Sequence, residues 1–109
     1  MIVDRFSKYL NAIEYPKEKT SWNIAGILKD KNAFYKFDVR ELTRTSATRA
    51  YQTGKTNTKA DKMVFELDAR WVIVDIQELH KYLKKYQKKD FELKELLSKL
   101  EWNISLPKR

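Results

Sequence analysis

The run Trp71-Val72-Ile73-Val74 constrains the fold more than any other stretch of this chain. Successive side chains of a strand point to opposite faces, so this one would be apolar on both. That describes a central strand covered above and below, or one edge of a tightly packed sheet. "KMVFEL", 62–67, precedes it, and Asp68-Ala69 lies between, so the two segments read as a hairpin. An earlier pair has the same form. "SWNIAGIL", 21–28, and "AFYKFDVR", 33–40, are linked by the polar Lys29-Asp30-Lys31-Asn32. In the second strand Ala33, Tyr35, Phe37 and Val39 alternate with Phe34, Lys36, Asp38 and Arg40; the first set faces the core and the second mostly water. Gly26 marks a bulge or a close approach of backbone.

Helical periodicity brackets these strands. Val3, Phe6, Leu10 and Ile13 follow one helix face, which predicts a helix over 2–15 closed by Pro16. Asp75 and Glu78 have the spacing of an N-cap and its reciprocal carboxylate, and Ile76, Leu79, Leu83 and Tyr86 would form the inward face of the helix they open. Asp90 is the expected cap of a last helix with the stripe Leu93, Leu96, Leu97 and Leu100. Trp102, Ile104 and Leu106 then return to pack. The order is α-β-β-(long polar segment)-β-β-α-α. It predicts a single α+β domain over 1–109, mostly an antiparallel sheet with helices packed on one face.

The polar segment, "TRTSATRAYQTGKTNTKADK" over 43–62, stands apart. It holds seven Ser or Thr, five Lys or Arg and one acid, and no Val, Ile, Leu, Phe or Trp. It cannot build a core. Its Gly54-Lys55-Thr56 has the ending of a phosphate-binding P-loop, but the required earlier glycine position is Arg49 and no apolar strand leads into it. A structureless segment of this length is unusual inside a small domain unless it binds something. The net charge is +8. Residues 43–62 carry five basic groups against one acid and residues 76–109 nine against five, so these two parts hold the whole excess.

In the second part Lys81, Lys84, Lys85 and Lys88 share one helix face, opposite Leu79 and Leu83. Like charges at that spacing repel unless a polyanion offsets them. The bland reading is a solvated lysine face. The functional reading is a nucleic-acid-binding protein without catalysis or cofactor. It would grip phosphates with Arg44, Arg49, Lys55, Lys59, Lys62, Lys81, Lys84, Lys85 and Lys88, with Tyr51 stacking on a base. An acidic protein partner would suit the same surfaces.

The enzyme alternative is a Mg-dependent nuclease. Glu66 and Asp68, two apart, would share a strand face, with Asp38 as a third carboxylate. Against it, position 68 is not the lysine that such sites use, and turns and caps are ordinary places for Asp. His80, the one histidine, sits beside the core-facing Leu79 and reads as a helix-face residue rather than a general base. The absence of cysteine excludes disulfides, thiol nucleophiles and cysteine metal sites. With no signal-like start and no apolar run of membrane-spanning length, a cytoplasmic protein without membrane contact is expected.

Overall fold

A computed structural model of the chain describes residues 2–18, 21–29, 31–41, 43–44, 51–52, 58–86 and 90–108, with 43–44, 51–52 and 90–91 given by backbone alone. The apolar run at Trp71 is an inner strand, β7 (Arg70–Asp75), with Trp71 to Val74 all buried. It pairs antiparallel with β6 (Lys62–Glu66) on one side and with β9 (Asn103–Pro107) on the other. Beyond β6 come β3 (Phe34–Glu41), β2 (Ile24–Leu28) and the edge strand β1 (Leu10–Glu14), giving the sheet order β1-β2-β3-β6-β7-β9. The helices are α1 (Ile2–Ser7), α2 (Ile76–Tyr86) and α3 (Leu93–Lys99). The architecture is α+β with a mostly antiparallel sheet.

The two faces of β7 explain its composition. Val72 and Val74, with Met63 and Phe65 of β6, join Ile76, Leu79, Tyr82, Leu93, Leu96 and Leu100 from the two C-terminal helices and their ends. Trp71 and Ile73, with Val64 and Phe37, join Phe6, Leu10, Ile24 and Leu28. So α2 and α3 cover one face, and the short α1 covers the other. Tyr9, beside edge strand β1, donates its hydroxyl to the Pro107 carbonyl at the end of the opposite edge, 3.3 Å away.

The N-terminal helix is shorter than its periodicity predicts. It ends at Ser7, and Leu10–Glu14 is a strand paired with β2. The same apolar spacing fits both structures locally, and pairing with the free edge of β2 decides it. Gly26 permits that pairing, because a Cβ there would lie 2.9 Å from the Asn11 carbonyl oxygen. The strand bulges between Asn11 and Glu14, with Ala12 in the left-handed region at φ 53°. Leu10 stays buried and Ile13 turns out to solvent.

The connection from β3 to β6 also differs from the expected succession of hairpins. These neighbours are parallel, in the register Phe37↔Lys62 to Glu41↔Glu66. Parallel neighbours need a crossover of a dozen residues or more. The polar segment is that crossover, so topology by itself requires much of its length.

Candidate functional site

The crossover has an ordered base. β4 (Thr43–Arg44) leaves the end of β3 and pairs antiparallel with β5 (Tyr51–Gln52), and β5 pairs with β8 (Asp90–Phe91). Strand β8 follows α2 in the chain and precedes α3. The small β4-β5-β8 sheet therefore joins the basic segment to the stretch that leaves the lysine helix. Asp90, the expected cap of α3, is part of this strand; Glu92 occupies the N-cap position and makes no side-chain capping bond. At its far end the crossover is tied to residue 21. The Lys59 amide donates to the Ser21 hydroxyl (2.6 Å), and the Thr58 hydroxyl donates to the Ser21 carbonyl (3.3 Å).

Helix α2 presents its lysines outward because its apolar stripe is committed to the core. Ile76, Leu79 and Tyr82 are buried, while Lys81, Lys84 and Lys85 are exposed. The inward face includes Tyr82, while the expected Tyr86 is 38% exposed and rests 5.0 Å from the Tyr82 ring. Lys84 and Lys85 lie in the last turn, where a cation favours the helix dipole and offsets part of the repulsion among them.

Asp75 caps this helix as its position implies, accepting from the Glu78 amide at 3.1 Å. Glu78 does not reach back. Its carboxylate accepts from the amides of Glu101 (2.7 Å) and Trp102 (3.2 Å), clasping α2 to the turn between α3 and β9. Beside that clasp lies a groove lined by Lys81, Lys85, Lys99, Tyr82, Tyr86 and neighbouring Glu101.

Lys62 is placed differently from the other lysines. It is 6% exposed, and its ammonium donates to Asp75 at 2.8 Å. It also lies 3.8 Å from the Trp102 ring centroid and 4.6 Å from that of Tyr35. Burial pushes the Asp75 carboxyl up, but the Lys62 bond and the amides of Glu78 and Gln77 outweigh it, leaving its pKa below the ordinary value. A lysine at the start of an apolar strand gives no sign in sequence that its partner is thirteen residues on, so no local signal marks this caged cation. Its charge is neutralised inside the protein and is not on offer to a phosphate.

Of the other expected contacts, Lys59 is exposed, and Arg44 and Tyr51 sit in β4 and β5 in the paired register Arg44↔Tyr51. Arg49, Lys55 and Lys88 lie outside the described residues.

The three carboxylates of the enzyme alternative are separated. Strand β6 ends at Glu66, and Asp68 is exposed in the turn that follows, so the two do not share a strand face. Glu66 belongs to the α1 side, where it accepts both guanidinium bonds of Arg5 (2.9 and 2.8 Å) and pairs with Lys108 at 3.2 Å. The Arg5 bond, helped by Lys108 against the effect of burial, holds its carboxyl below the usual range. Asp38 is 5% exposed on β3 and held bidentately by Arg40 at 3.0 and 2.8 Å. Its register partner Met63 belongs to the α2–α3 face. Among the described residues no three acids or histidines gather to hold a metal, and no helix is long and apolar enough to cross a membrane.

No protein-family model matches the chain, and no curated protein or solved structure is significantly similar to it.

Proposed function

We propose that this protein binds nucleic acid through its phosphate backbone, using the exposed lysines of α2 and the basic crossover. The observation that carries the reading is the pairing of β5 with β8, which makes neighbours of the two parts of the chain that hold its positive excess. With Lys62 neutralised by Asp75, Arg44, Arg49, Lys55 and Lys59 remain as the cations of the crossover. Salt titration tests it. Log affinity should fall linearly with log salt, at a slope near −0.9 per phosphate for duplex DNA. Lys81→Ala and Lys85→Ala should each reduce that slope by about one and weaken all sequences alike. Binding that ignores salt rejects it, and equal binding of an acidic polypeptide favours an acidic protein partner instead.

A second reading, metal-dependent phosphodiester cleavage, keeps one supporting observation. Asp38 is a buried carboxylate on the strand from which the crossover departs. Incubation of nucleic acid with the protein and Mg²⁺ or Mn²⁺ should then give cleavage that Asp38→Asn abolishes. Intact substrate, or cleavage unchanged in that variant, removes this reading.

A further inference from the structure

Three hollows adjoin one another through shared residues, running from the α2–α3 face of the sheet round to the α1 face, and each includes an aromatic ring and a lysine. The first, along α2, has Tyr82 and Tyr86 with Lys81, Lys85 and Lys99. The second shares Glu101 with it and has Tyr35 and Trp102 with Lys31. The third shares Tyr35 with the second and has Phe34 with Lys59. Phe34 is 44% exposed although it stands in a strand of the main sheet. No ion pair holds Lys31, Lys59, Lys81, Lys85 or Lys99 among the described residues. Of the carboxylates along the path, Asp75 is neutralised by Lys62, while Glu78 accepts from the amides of Glu101 and Trp102 and Asp61 from the Lys36 amide, bonds that leave their negative charge in place. Glu101 stands exposed at the junction of the first two hollows.

Phosphates alone need only the cations. Aromatic rings in hollows beside the cations add a surface on which bases stack, and bases reach such a surface only when they are unpaired. We infer that the preferred ligand is single-stranded nucleic acid, its bases stacked on the exposed rings of Phe34 and Tyr86, its phosphates along the lysines. This rests on the nucleic-acid reading above and narrows it.

The test is fluorescence anisotropy with the full chain, using labelled oligothymidylate, oligouridylate and a DNA duplex of equal length, across a salt series. The single strands should bind at least about tenfold more tightly than the duplex. Phe34→Ala and Tyr86→Ala remove rings that are 44% and 38% exposed, so both variants should have a lowered unfolding midpoint but stay folded at the assay temperature. Each should weaken single-strand binding roughly 5- to 150-fold, the range for one stacked base, with the salt slope unchanged. Equal or tighter binding of the duplex overturns the inference, as does parental single-strand affinity in both variants; either result leaves phosphate binding standing. Absence of binding to every probe at low salt overturns the nucleic-acid reading itself and this inference with it.

Discussion

Replacing Asp75 by Ala should destabilise the protein by about 3–5 kcal/mol, the cost of removing one partner from a buried ion pair. The carboxylate does two things at once. It neutralises Lys62, whose side chain is 8% exposed, and it caps the first turn of α2. Without it the ammonium remains enclosed by Trp102 and Tyr35 with its main counter-charge gone. Ring faces attract a cation by about 0.5–2 kcal/mol, which does not replace a carboxylate at 2.8 Å. Loss of the cap accounts for about 1 kcal/mol of this total. Lys62→Met should cost less, because the stranded group is then Asp75, which keeps the Glu78 amide and partial contact with water. In the double variant Lys62→Met/Asp75→Asn no buried charge remains and Asn still caps, so most of the Asp75→Ala loss should be absent. Urea denaturation of the variants reads these differences directly. A loss below about 1 kcal/mol for Asp75→Ala would show that water reaches the pair and screens it.

The same pair fixes a pH dependence. The folded-state pKa of Asp75 lies below its ordinary 3.8, so its contribution is present above that value and disappears as pH falls through the lowered one. Glu66, lowered chiefly by Arg5, acts in the same direction from its ordinary 4.5. Acid should therefore weaken the parent more steeply than the Lys62→Met/Asp75→Asn variant.

How much of this was legible in sequence depended on whether the signal was local. The all-apolar run at Trp71, the turn at Asp68-Ala69 and the cap at Asp75 are each set by residues within a few positions, and they stand as read. The period in Leu10 and Ile13 was local too, but it fits a bulged strand as well as a helix. The deciding contact was the space above Gly26, sixteen residues away. The parallel pairing of β3 with β6 was not legible, since hairpin-like segments carry no mark of their direction relative to more distant strands. For the candidate site, the lysine face of α2 followed from helical spacing. The joining of the crossover to β8 did not, because each strand there is only two residues long. The exposure of Phe34 was legible, because the alternation of β3 placed it on the side facing mostly water.

Trp71→Ala should remove about 3–5 kcal/mol, as large aromatic truncations in a packed core do. Against a total of about 5–15 kcal/mol for a small domain, that takes the protein close to unfolding at room temperature. Trp71 is 2% exposed and is where α1 is held: its ring lies 5.4 Å from Phe6 and 6.3 Å from Tyr9, and the Lys108 ammonium sits 5.4 Å above it. Helix α1 is also joined to the sheet by the Arg5–Glu66 pair, so two kinds of contact compete as the cause of its docking. The Arg5 side chain is 51% exposed, and Glu66, although 9% exposed, keeps Lys108 at 3.2 Å when Arg5 is gone, so Arg5→Ala should cost about 1–2 kcal/mol, less than Trp71→Ala. The ring cluster is dry, and a cavity there cannot be refilled by a helix of six residues. Trp71→Phe keeps part of the contact with Phe6 and should cost less than half of the Ala variant. The opposite order, with Arg5→Ala more damaging than Trp71→Ala, would place the docking of α1 on charge rather than on packing.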